Sequence, residues 1–144
     1  MKAINKNDID ELECLLDDAD EDNIILDINE KNESEEFPLL SAVDKNNVGM
    51  VKLLIDYADN NDITLNINDK DEIGDYPLLG AVIVNNIEIV KLLIDYANNH
   101  NIILEINDGD ISDTSKINVD ILELIDKYCK DHNINLNLND SRLK

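Results

Sequence analysis

Positive charge is scarce in this chain. Twelve lysines and arginines stand against 33 aspartates and glutamates over 144 residues, for a formal net charge of −21 at pH 7. Such a balance repels phosphate backbones and anionic lipid headgroups, which argues against direct nucleic-acid binding and against docking on a membrane surface. It favours solubility and attraction to cationic partners, and it bears on neither fold nor topology. Long apolar runs are missing as well. With no stretch of eighteen, no membrane span is expected. "MKAINKNDID" has no apolar stretch behind its lysine, so no secretory leader is expected either. Glycine-rich phosphate loops, nucleophile–base constellations and His or Cys at metal-ligand spacing are all lacking. No catalysis, cofactor or metal is therefore expected.

Proline occurs twice, at Pro38 and Pro77, and this scarcity is regular. Each opens the tripeptide Pro-Leu-Leu, and the two copies lie 39 positions apart. "VKLLIDYA" recurs at the same spacing, as Val51–Ala58 and Val90–Ala97. Upstream, Ile9, Leu12, Leu15, Leu16, Ala19, Ile24, Leu26 and Ile28 each precede an apolar residue by the same 39 positions. Downstream, the stretch from Val119 matches that from Ile87 with a shift of 32, so seven residues ahead of the last helix are lost. A fixed period of this size marks a repeat architecture. The chain divides into 1–30, 31–69, 70–108 and 109–140, two complete and two partial units of one domain.

Within the third unit, Pro77 suits the first position of a helix, where its missing N–H has no partner anyway. Leu78, Leu79, Ala81 and Val82 supply a buried face. Asn85-Asn86, like Asn46-Asn47, interrupts: asparagine accepts the left-handed conformation that ends one helix and caps the start of the next. Ile87, Val90, Leu93, Ile94 and Ala97 then recur at helical spacing. "IILEIN" alternates with the period of two of an extended segment, and "DGDISD" is a polar tip. One such unit buries too little apolar surface to offset the entropy of ordering it, so neighbouring units must share a core. In a stack of helix layers about 10 Å apart, Cys14 and Cys129 are too distant for a disulfide. Both align with apolar positions and are expected as buried free thiols. That points to an intracellular, reducing location, cytoplasmic with the nucleus left open.

"FPLLSAV" and "YPLLGAV", followed by "NNVGMVKLLI" and "NNIEIVKLLI" and by the tip "INDKDEIGDYPL", resemble the ankyrin repeat over residues 3–140. The resemblance implies an all-α repeat solenoid of stacked helix-turn-helix units with finger loops. Three departures stand out. Phe37 and Tyr76 replace the family's threonine, and Leu40 and Leu79 its histidine, so apolar packing must brace the first helix. Ala58 and Ala97 replace the helix-ending glycine, so the second helix is expected to run on to about Asn60 or Asn99. The period is 39 rather than the family's usual ~33. The fourth unit, besides, lacks the Pro-Leu-Leu helix. Whether the longer arms pair as a sheet is left open.

In ankyrin proteins the fingers and first helices line a concave binding face. By position, the resemblance assigns to that face Ser41, Asp44, Lys45, Gly80, Ile83 and Val84. The acidic tips Glu33, Glu35, Glu36, then Asp69, Asp71, Glu72, Asp75, then Asp108 and Asp110 would line it too. "DKDEIGD" at 69–75 is similar to a calcium loop, but Ile73 and Gly80 fall where ligands are needed, which favours a solvated tip. Tyr57, Tyr96 and Tyr128 form a column, read as packing between layers, with a partner-facing ladder as the alternative. His100 and His132 read as helix-end residues. The resulting expectation is a non-catalytic protein-binding module that engages a basic or basic–apolar segment of another protein. The alternatives are an acidic mimic of nucleic acid that inhibits a DNA- or RNA-binding protein, and a structural fragment of a longer array.

Overall fold

Paired asparagines build the corner of each helical hairpin. In the computed structural model, which describes residues 1–143, Asn7, Asn46 and Asn85 adopt left-handed backbone with φ of 57°, 52° and 57°. This conformation closes a short first helix, and asparagine tolerates it at low cost. The next residue caps the second helix: Asn47 accepts from the Met50 N–H at 3.0 Å, and Asn86 from those of Glu88 and Ile89. The same side chains tie layers together. The Asn47 amide donates to Asn7 Oδ1 at 2.9 Å and that of Asn86 to Asn46 Oδ1 at 2.7 Å.

Among the described residues seven α-helices result: α1 (Lys2–Asn5), α2 (Ile9–Glu21), α3 (Pro38–Asp44), α4 (Val48–Asn60), α5 (Pro77–Ile83), α6 (Ile87–Asn99) and α7 (Val119–Asp131). Helix α3 packs on α4 and α5 on α6 within a layer; between layers α1, α3 and α5 stack in one row and α2, α4, α6 and α7 in another. The second helices α4 and α6 run on to Asn60 and Asn99, as the missing glycine implies. A left-handed Asp62 and Asn101 follow. Leu54 and Leu93 are 1% and 0% exposed. They belong to one connected core that extends from Ala3 to Cys129, so each layer covers the next. Burying that apolar surface is the main favourable term. Phe37 and Leu40 are fully buried, so apolar packing does brace the start of α3.

The arms alternate as their period of two requires: Leu65 and Ile67 are buried while Thr64 and Asn66 are exposed. No strand forms among the described residues. Asparagine side chains bridge neighbouring arms instead. Asn29 donates to the Thr64 carbonyl at 2.8 Å and accepts from the Asn66 N–H at 3.0 Å, and Asn68 does the same with Ile103 and Glu105. Tyrosines satisfy further arm groups. The N–H groups of Leu26, Leu65 and Leu104 donate to the hydroxyls of Tyr57, Tyr96 and Tyr128 at 2.9, 2.8 and 3.0 Å. All three rings are buried, so the column is interlayer packing.

The end layers depart from the pattern. In the first, α1 keeps only the final turn of a first helix, with Ala3 and Ile4 buried. In the last, a 3-10 turn at Thr114–Lys116 stands where a first helix would be. The Arg142 guanidinium reaches back to it, donating to the carbonyls of Thr114 and Ile117 at 2.7 and 3.1 Å while paired with Asp140. Asp140 is thereby held well below the usual carboxylate range, chiefly by the Arg142 side chain. One expectation fails. Cys129 is buried, but Cys14 is exposed. Cys14 aligns with Leu53, which is itself only half-buried, so the alignment does not carry burial to Cys14.

Candidate partner-binding face

The finger tips are built by side chains that head tight turns. Asn32 Oδ1 accepts from the N–H groups of Ser34 and Glu36, and Asp71 Oδ1 accepts from those of Ile73 and Asp75. Such local bonds hold a turn without help from the core. The turns put residues 35 and 74 in left-handed backbone, occupied by Glu35 at φ 60° and Gly74 at φ 93°. Adjacent fingers touch where the Glu72 N–H donates to the Ser34 carbonyl at 3.2 Å.

Several acids assigned to the face are engaged inside the protein. Lys31 pairs with Glu35 at 3.2 Å and with Asp69 at 3.3 Å while its ammonium lies 5.9 Å from the centre of the Phe37 ring. Lys70 lies over Tyr76 in the same way, at 5.4 Å. Glu36 accepts from the Asn32 amide at 2.7 Å. Asp108 accepts from the Asn137 N–H, and Asp110 from the Tyr76 hydroxyl at 2.6 Å and from Asn107. Those donors, the Tyr76 hydroxyl above all, lower the Asp110 pKa, and burial together with Asp110 raises that of Tyr76. Glu33 and Glu72 are exposed, and no hydrogen bond or ion pair among the described residues engages their carboxylates.

The first helices contribute the rest. Ser41 is buried, so its side chain belongs to the core rather than to the surface. Lys45 and Ile83 are exposed, and Val84 is half-buried. Gly80 leaves room for its neighbour: a Cβ there would stand 3.2 Å from Asp44 Oδ1. The Asp44 carboxyl therefore lies over α5. Asp44 is exposed, yet its pKa is raised to about 6, first by partial desolvation and then by the charges of Asp75, Asp71 and Glu36. Asp75 is raised too, by burial and by Asp71. Like charges brought together disfavour ionisation. Fingers and first helices thus gather Glu36, Asp44, Asp71 and Asp75 into one acidic cluster, with Lys45 the nearby cation. Among the described residues no group of three or more His, Cys, Asp or Glu is arranged to hold a metal ion, and no helix is long and apolar enough to cross a membrane.

Sequence reasoning grouped the finger acids with Asp44, of which Glu36, Asp71 and Asp75 come near it, but it could not divide them into turn-holding and free carboxylates. It missed Arg142, whose only signal was its position near an Asp two residues earlier.

Short helical hairpins stacked through a shared core, joined by arms and acidic tips, define a helical repeat protein of the solenoid class. The family model described as ankyrin repeats (3 copies) matches residues 1–104, and the chain belongs to the ankyrin-repeat family. Ankyrin repeats generally mediate protein–protein interaction. No curated protein matches the chain. The last layer lies beyond the matched residues, but α7 packs on α6 there and Tyr128 repeats the hydrogen bond of Tyr96.

Proposed function

We propose that the chain is a non-catalytic interaction module whose units, from 1–30 to 109–140, act as one binding domain. Its first helices and finger turns present a face to a basic segment of another protein. The observation that carries this reading is the Asp44 cluster. Four carboxylates from two fingers and one helix share a site where Asp44 resists ionisation up to about 6, and a bound lysine or arginine would relieve that repulsion. The net charge of −21 steers such a partner from a distance. Free thiols at Cys14 and Cys129 suit a reducing, intracellular compartment.

The test is fluorescence anisotropy with a labelled oligo-lysine peptide titrated into the full chain at about 20 to 300 mM salt. Affinity is expected to fall steeply with salt and to drop in Asp44→Asn with Asp75→Asn. No binding at low salt, or binding that ignores both salt and these substitutions, would refute the reading.

A further inference from the structure

On one side, α5 is covered by α3: a Cβ at Gly80 would meet Val43 Cγ1 at 3.1 Å and Leu40 Cδ1 at 3.8 Å. The corresponding side of the next contact, carried by Leu79, Val82 and Ile83, receives no helix, because the fourth layer has only the Thr114–Lys116 turn. A groove of about 260 Å³ remains between α5 and the segment 110–117. Leu79, Val82, Ile111 and Ile117 line it, with Ile83 at its edge. The missing helix is visible in exposure. Leu40 is fully buried, whereas its counterpart Leu79 is only half-buried, and Ile83 is 65% exposed. A cavity of about 150 Å³ suffices for a benzene ring, so the groove has room for one large apolar side chain.

Its surroundings select the occupant. Among the described residues that line the groove, Asp110 and Asp113 face one cation, Lys116, and Asp113 also accepts from the N–H and hydroxyl of Ser115. Ile83 stands one helical turn beyond Gly80, over which Asp44 lies beside Asp75. A second copy of this chain would bring another −21 charges to an already negative face, whereas a cationic segment meets favourable charge at Asp113 in the groove and at Asp44 across α5 from it.

We infer that this groove is the apolar anchor of the partner-binding face. It takes one large apolar side chain of a basic protein segment, whose flanking lysines or arginines meet Asp44 and Asp75 on one side and Asp113 on the other. The inference rests on the reading of the face given above. It adds that the partner is recognised by an apolar residue set among cations, and it fixes where that residue enters.

Two labelled synthetic peptides test it, Gly-Lys-Lys-Leu-Lys-Lys-Gly and the same sequence with alanine at its centre, each titrated at low salt into the full chain and into Ile83→Asp. The side chain of Ile83 is exposed, so the variant is expected to fold, which circular dichroism checks. Aspartate is also the residue at the equivalent position 44. The leucine peptide is expected to bind the unsubstituted protein about tenfold tighter than the alanine peptide, and Ile83→Asp to abolish that preference. Equal binding of both peptides by the unsubstituted protein overturns the anchor and leaves the charged face standing. Retention of the leucine preference by Ile83→Asp likewise overturns the anchor alone. Binding of neither peptide overturns both.

Discussion

Replacing Asp44 by asparagine is expected to strengthen the fold and weaken binding of a basic segment at the same time. The Asp44 carboxyl is raised from 3.8 to about 6 by desolvation over Gly80 and by Asp75, Asp71 and Glu36. At full strength that difference corresponds to about 3 kcal/mol against the ionised, folded protein. The residue is open to solvent, so screening cuts the figure to about 1 kcal/mol. A carboxyl whose folded pKa is raised imposes no cost below its unfolded value; the cost grows between 3.8 and about 6 and is complete above that. Asparagine keeps the shape and removes the charge. Urea denaturation at about pH 7.5 should therefore find Asp44→Asn more stable by about 1 kcal/mol, and at about pH 4 the advantage should nearly vanish. A variant no more stable than the parent at the higher pH, or equally favoured at both, would refute the argument. A residue that burdens the fold and favours binding is what an interaction surface is expected to carry.

Further outcomes follow from the interlayer contacts and from the thiols. Tyr96→Phe removes the acceptor of the Leu65 N–H and leaves a buried donor unpaired, so denaturation should show a loss of about 1–3 kcal/mol. No measurable loss would contradict the assignment. Tyr57→Phe should cost less, since its partner Leu26 is only half-buried. In the native chain a small thiol reagent should modify Cys14, slowly because Asp18 raises the thiol pKa, and should reach Cys129 only on unfolding. Equal modification of both would contradict the burial of the last layer.

Much of this architecture was legible because the repeat states its own register. Leu54 and Leu93 recur in identical octapeptides and are buried alike. The asparagine pairs announced the hairpin corners, since few residue types both take left-handed backbone and cap a helix. The arms were legible only in part. Their alternation was plain, but the same pattern serves a strand or an arm bridged by Asn29 and Asn68, and hydrogen-bond partners are tertiary facts. Cys14 misled because an apolar residue at the aligned position does not imply burial: Leu53 is itself only half-buried. The finger acids looked equivalent in sequence. Which of them hold turns, as Asp71 does, and which stay free, as Glu33 does, depends on geometry that spacing does not encode. The lost helix of the fourth unit was evident from seven missing residues. The groove it leaves on α5 required the positions of Ile111 and Ile117.

Amide hydrogen exchange at Leu65 and Leu104 tests most directly whether the layers close on one another. Both residues lie in arms outside any helix or strand, and each N–H donates to a tyrosine of the following layer. If the layers share a core, these two amides open only with global unfolding and exchange at least about a thousandfold more slowly than those of their exposed neighbours Thr64 and Ile103. Exchange of Leu65 and Leu104 as fast as that of Thr64 and Ile103 would contradict the stacked architecture and, with it, the binding face built upon it.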